Sequence, residues 1–347
     1  MYIISDEESD RIRIVKCMAI ILVVYIHSYA TKVNFSDGTN TFYLPVWLQV
    51  IEYGLSQVVA RCGVPVFFLI SAILLFRSNS SYLSTVSKRV RSLLVPYLIW
   101  NTFWIAIFAV LQSLPFTTMY FSGANTPILK CTLTEWLKLY GIGTEYPQCY
   151  PLWFMRDLMV VLLFYPAVRA FVNICPKIML CVGVALALMP FDCLGKMALT
   201  WFIIGAAAVK MQIHLTFLDD IPMRRIMSIY IAFAIISLFF DMNVIRGSFI
   251  FIGIAFLFRL SKEIYVREKL KKKFMWLSQW TFLIYVLHEL TLSSVKKMCL
   301  RILPQTPVFL LLEYLLIPVF VITGCIIAGV LFKRIAPRIY RFSTQSR

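Results

Sequence analysis

The chain has 347 residues, of which 60% are hydrophobic and 15% charged, and its mean hydropathy is +0.80. A soluble domain of this size could not cover so much apolar surface, which leaves a polytopic membrane protein. The formal net charge of +17 sits in short blocks between apolar segments, so it reads as a topology signal and excludes a nucleic-acid surface.

The first apolar stretch follows Arg11, Arg13 and Lys16, runs to Ala30 and is interrupted by His27. It lacks a convincing small-x-small cleavage site and reads as a retained helix. Ten helices are predicted, each needing about 20 apolar residues. They cover 14–33, 53–76, 92–113, 151–170, 177–190, 197–212, 226–241, 247–260, 278–296 and 309–332. Pro115, Pro151, Pro176, Pro190, Pro222, Gly247 and Pro307 punctuate the boundaries. The expected fold class is all-α, a bundle of about ten transmembrane helices forming one domain over 1–347.

Charge asymmetry sets the orientation. With a cytoplasmic N-terminus, the inner segments hold 24 of the 34 Lys and Arg and the outer ones 8, with Arg61 and Arg156 inside helices. That bias predicts both termini on the cytoplasmic side of an inner membrane. The longest polar piece, 114–150, then faces outward, and its aromatics and prolines suggest a folded cap. The loop 261–277 faces inward and is strongly basic from Lys262 to Phe274. The nine cysteines show no C-x-x-C spacing, so neither a metal nor a thioredoxin-like site is expected. Cys131 and Cys149 share the outward loop and could pair in an oxidising compartment.

Ionisable residues inside spans are costly and mark functional sites by default. Here they are His27, Arg61, Arg156 with Asp157, and His288 followed by Glu289. At a rise of ~1.5 Å per residue, His27 lies ~20 Å and His288 ~15 Å above the inner ends of their helices. Arg61 lies ~12 Å, and Arg156 and Asp157 ~8–9 Å, below the outer ends of theirs. All fall between the midplane and the outer third of a core ~30 Å thick. One polar cavity, open to the outer side, is the expectation. Plainer readings stand beside it. His27 or His288 could be a satisfied core histidine, and Arg61 with Asp157 a structural ion pair. Trp100, Trp104, Trp153 and Trp201 could be packing aromatics. Lys88, Arg89 and Arg91 could serve topology alone.

Five segments carry a resemblance. K-C-M-A-I-I-L-V-V-Y-I-H-S opens the first helix, with ten residues between Lys16 and His27. G-V-P-V-F-F-L-I-S-A follows at 63–72, K-R-V-R-S-L-L-V-P-Y-L-I-W at 88–100, L-W-F-M-R-D-L at 152–158 and F-L-I-Y-V-L-H at 282–288. In this order they resemble acyltransferase family 3, the bacterial integral-membrane acyltransferases, with Ala72 where the family usually has glycine. The resemblance implies about ten helices and transfer of an acyl group, usually acetyl from cytoplasmic acetyl-CoA. The acceptor it implies is a hydroxyl of a cell-surface glycan or lipid-linked sugar. Some members carry a further soluble domain after the membrane part; with this chain stopping at Arg347, a second step is expected to need another protein.

Such a reaction needs a base for the hydroxyl proton and positive charge for the oxyanion. His27 suits the first task, either directly or as an acyl-imidazole carrier. Arg61 or Arg156 could stabilise the oxyanion or orient the sugar, and Asp157 could hold an arginine or histidine in register, with His288 nearby. Lys16, Lys88, Arg89 and Arg91 are expected on the inner face, where the phosphates of an acyl-CoA co-substrate would bind. The pantetheine arm would span the ~20 Å up to His27. No permanently bound cofactor is expected; the partners are acyl-CoA, a hydroxyl acceptor and membrane lipids. Intramembrane charges also suit a transporter or flippase of a polar metabolite, although the halves show no pairing. A catalytically silent sensor on the same scaffold is the third reading.

Overall fold

The computed structural model describes residues 3–29, 33–35, 38–40, 44–77, 82–121, 126–190, 193, 195–240 and 242–344. Lys32 and Arg347 lie outside them. The first helix, α1 (Asp6–Ser28), starts eight residues before the predicted position. The reason is a capping box: the Glu8 amide donates to Ser5 Oγ at 3.1 Å, and the Ser5 amide donates to Glu8 Oε2 at 3.0 Å. Asp6, Glu7 and Glu8 in the first turn also suit the positive end of the helix dipole. The helix ends at Ser28, five residues early, and a short antiparallel hairpin, β1 (Val33–Phe35) and β2 (Gly38–Asn40), departs from the all-α expectation.

Next comes α2 (Val46–Phe76), continuous through a π-type turn at Gly54–Val58 and a 3-10 turn at Val59–Cys62 that carries Arg61. α3 (Tyr82–Arg89) continues through a π-type turn at Val90–Leu94 into α4 (Val95–Ser113). The segment expected to face outward is folded over its described residues, 114–121 and 126–150, and contains α5 (Leu133–Leu139). The span predicted at 151–170 is broken at Phe164 into α6 (Trp153–Leu163) and α7 (Tyr165–Ile174), with Pro166 in the first turn after the break. Then follow α8 (Pro176–Leu188), α9 (Lys196–Lys210), α10 (Met223–Phe239) and α11 (Asn243–Tyr265). The basic segment expected as a loop over 261–277 is helical instead, forming the end of α11 and α12 (Glu268–Ser278). The chain closes with α13 (Thr281–Ile302), α14 (Pro307–Ile335) and α15 (Pro337–Thr344).

Among the described residues, four helical stretches can cross a membrane by length and composition: Val46–Phe76, Ser87–Ser113, Val244–Tyr265 and Pro307–Ile335. The broken pair α6–α7 would make a fifth. The chain is a membrane protein. α8, α9 and α10 have 13, 15 and 17 residues, short of the ~20 that a straight crossing needs.

The chain groups into two compact units, each built from separated stretches. The first unit takes Met1–Ile26, Val50–Val86 and Val160–Thr281. Its polar anchor is Arg11, which is fully buried. The guanidinium forks onto Asp219 at 2.6 and 2.8 Å, and donates also to Glu7, Ser261 Oγ and the Phe258 carbonyl. Arg11 is thus a structural ion-pair residue as well as one of the counted charges. Glu8 accepts from His214 and from the Leu215 amide, and Lys271 pairs with Asp10 at 3.0 Å. These ties fix the start of α1 to α11, α12 and the 211–222 segment.

The apolar part of this unit depends on close backbone approach, the usual device where hydrocarbon surrounds the helices. α9 packs on α2 and on α8. A Cβ on Gly205 would lie 2.7 Å from the Leu69 carbonyl oxygen and 2.8 Å from the Ala72 Cβ. Backbone cannot yield as a side-chain tip can. Gly205→Ala is therefore expected to destabilise the protein by about 1–3 kcal/mol, seen as a lower melting temperature in detergent. Gly324→Ala, where a Cβ meets nothing within 4 Å, is the control and should melt as the wild type does.

Candidate active site

The second unit takes His27–Gln49, Ser87–Met159 and Phe282–Arg347, and it holds His27 and His288, whose helices α1 and α13, expected as spans, are not among the long apolar stretches above. His27 stands in the last turn of α1. The end of that helix is tied twice. Lys296 Nζ donates to the Ser28 carbonyl at 2.9 Å, and Ser28 Oγ donates to the Tyr314 carbonyl at 3.3 Å. A cation on the terminal carbonyls suits the negative end of the dipole. α13 and α14 thereby fix where the imidazole sits.

His288 is fully buried on α13. Its Nδ1 lies 2.9 Å from the Ile284 carbonyl and 3.0 Å from the Tyr285 carbonyl. Carbonyls only accept, so Nδ1 carries the proton and Nε2 the lone pair. Nε2 is buried and, among the described residues, has no hydrogen-bond partner. The His27 and His288 ring centroids are 5.2 Å apart and tilted by 55°. Tyr150 meets His27 edge-on at 5.3 Å, and Tyr146 lies against Tyr150 at 4.6 Å.

Tyr146 and Tyr150 are delivered by the outward segment, and its local structure follows from its sequence. Thr132 and Glu135 form a capping box at the start of α5. The Thr132 hydrogen bonds hold the Glu135 carboxyl below its usual range. At the other end Gly141, at φ +77°, adopts a left-handed conformation. Its amide donates to the Lys138 carbonyl and the Ile142 amide to the Leu137 carbonyl, a Schellman closure that favours glycine.

Polar side chains on the helices then grip this segment by its backbone. Tyr97 Oη donates to the Tyr140 carbonyl at 2.6 Å and Tyr285 Oη to the Pro151 carbonyl at 2.6 Å. Buried Asn101 bonds twice, to the Leu139 carbonyl at 2.8 Å and from the Cys149 amide at 2.9 Å. Arg156 Nη1 donates to the Gly141 and Thr144 carbonyls at 3.3 and 3.0 Å. Its Nε and Nη2 both donate to Asp157 Oδ1, at 3.0 and 2.9 Å. Cys131 and Cys149 are both free thiols. Burial pushes the Cys149 thiol well up, with Glu289 adding to the shift. A protonated buried thiol is a poor nucleophile.

The structure thus brings His27, His288, Arg156 and Asp157 into one unit, together with Lys88, Arg89 and Arg91 on α3 and the turn after it. Lys88 and Arg91 are exposed and Arg89 is half-buried. Lys16, half-buried, and Arg61, exposed and hydrogen-bonded to Gln57, belong to the other unit. Of the tryptophans, Trp100 and Trp104 are buried and donate to the Ser343 and Val286 carbonyls, which makes them packing residues. Sequence reasoning missed Tyr97, Asn101, Tyr146, Tyr150, Tyr285 and Lys296. Asn101 carried a usable signal, a polar amide in the middle of an apolar helix.

Asn101→Ala would leave two backbone groups without their buried partner, at a cost of about 1–3 kcal/mol for each group stranded. Amide exchange across 139–150 should speed up while exchange in α9 stays unchanged. Unaltered protection in 139–150 would show that Asn101 does not hold the segment.

The family model for the acyltransferase domain (acyltransferase family 3) matches residues 9–332. The succinoglycan biosynthesis protein ExoH of Rhizobium meliloti (strain 1021) is 28% identical over 219 residues, covering 61% of this chain and 56% of that protein. The match therefore spans little more than half the length of that curated relative. No solved structure matches the chain.

Proposed function

The chain belongs to the acyltransferase domain family and is an acyltransferase, and from that premise we propose that it moves an acetyl group from cytoplasmic acetyl-CoA to a hydroxyl of a cell-surface glycan or lipid-linked sugar. The sugar acceptor draws support from the likeness to a succinoglycan biosynthesis protein. An inner membrane with both termini cytoplasmic fits the distribution of Lys and Arg.

The observation that carries the chemical reading is the histidine pair, with centroids 5.2 Å apart and Nδ1 of one ring engaged by backbone. His27 is the general base. It takes the acceptor hydroxyl proton as the oxygen bonds to the acyl carbon; the C–S bond then breaks and the coenzyme A thiolate recovers the proton from the imidazolium. His288 is the orienting partner. Its Nε2 lone pair accepts the His27 N–H once substrate is bound, and so selects the tautomer in which the other His27 nitrogen is basic. Arg156 has its donors on Asp157 and two loop carbonyls, so we assign Arg156 and Asp157 to positioning the tyrosines. Arg61 and Lys16 belong to the other unit and are assigned no step. Lys88, Arg89 and Arg91, two of them exposed and one half-buried, are donors of the kind coenzyme A phosphates need.

His27→Ala should lower acetyl-CoA turnover by purified protein in nanodiscs by about a hundred-fold or more, with insertion unchanged. Retained turnover sinks the assignment. Arg91→Ala should raise the apparent KM for acetyl-CoA more than it lowers kcat, and an unchanged KM would remove the cluster from coenzyme binding.

A further inference from the structure

Glu313 is an ionisable residue in an apolar helix that neither the sequence reading nor the mechanism above uses. It lies seven positions into α14, which starts at Pro307, and is 7% exposed. Its Oε2 is buried and has no hydrogen-bond partner among the described residues. A carboxylate oxygen left so is costly and needs an explanation. The next residue, Tyr314, is the one whose carbonyl accepts from Ser28 Oγ. Ser28 follows His27 and accepts from Lys296 at its own carbonyl. Ser28 thus ties Lys296 of α13, and α14 at the residue next to Glu313, to the end of α1, one residue from the proposed base. Along α13, Lys296 is eight residues from His288, or ~12 Å at the helical rise. Leu44, Leu48, Leu300 and Leu310 form a buried apolar cluster beside this point.

A hydroxyl both donates and accepts, so a carboxylate beside an ammonium matches a polyol on both counts. We propose that Glu313 and Lys296 form the acceptor subsite, which binds hydroxyls of a sugar and turns the reacting one toward His27. The subsite rests on the acyl-transfer reading above. Glu313 supplies the missing donor's counterpart: a sugar hydroxyl donates to Oε2 and satisfies it. Lys296, which holds the Ser28 carbonyl, brings positive charge to the same place. The subsite selects for hydroxylated acceptors and has no contact with the coenzyme.

The test separates acceptor from donor kinetics. Full-length protein in nanodiscs is given acetyl-CoA alone, which reports hydrolysis, and acetyl-CoA with bacterial glycolipid extract, which reports transfer. Glu313→Gln keeps the shape and removes the charge. It should raise the apparent KM for the extract about ten-fold or more, while kcat for hydrolysis and the KM for acetyl-CoA stay within about two-fold. Glu313→Ala should shift the same constant in the same direction, and Glu313→Asp should recover part of the loss. An acceptor KM unchanged in both variants overturns the subsite. A matching fall in hydrolysis and transfer with a lowered melting temperature also overturns it, since that marks a structural residue. Wild-type protein that shows no His27-dependent transfer defeats the acyl-transfer reading itself, and the subsite with it.

Discussion

Backbone carbonyls that the helices do not use must find donors inside the protein, because hydrocarbon offers none. This constraint explains the second unit better than any apolar contact does. Lys296, Ser28, Tyr97, Asn101, Trp100, Trp104, Tyr285 and Arg156 all donate to main-chain oxygens. Each bond settles a carbonyl and at the same time fixes a side chain or a segment. His288 is held the same way, through Nδ1. The polar residues of the site are thus tied to backbone more than to one another, and the geometry around His27 follows from where α1 ends.

The two histidines differ in kind. His288 has one nitrogen engaged by its own helix and no exposure, so its tautomer is fixed by the fold. His27 sits half-buried at a helix end, edge-on to Tyr150. A base must meet its substrate and an orienting group need not. The proposed division of labour fits this difference in exposure.

Much of this was legible in the sequence, and for physical reasons. Apolar runs and their basic flanks located helices, and isolated ionisable residues located His27, His288, Arg156 and Asp157. The charge of Arg156 marked it, but not its task, because loop carbonyls leave no trace in side-chain spelling. The early start of α1 was written in Ser5 and Glu8, three apart, ahead of the apolar run. The fold of the outward segment was written in Thr132, Glu135 and Gly141, the start and stop signals of α5. Helix length was the weakest inference. Hydropathy reports where a chain is apolar and not how long its helix runs: α9 is apolar and mostly buried, whereas α8 is as apolar and buries only Gly183. Glu313 was visible as a charge inside the last long apolar run, but apolar neighbours on both sides made it easy to pass over.

Arg11 adds a matter of timing. Its principal counter-ion, Asp219, lies 208 residues later. A ribosome adding about 5–20 residues per second needs on the order of 10–40 s to reach it. Throughout that interval Arg11 is a cation whose permanent partner does not yet exist, and it acts on the membrane surface as any basic residue does. Once Asp219 arrives, the same guanidinium disappears into the fold. This clasp therefore closes only once the chain has grown by those 208 residues, so the start of α1 is fastened late.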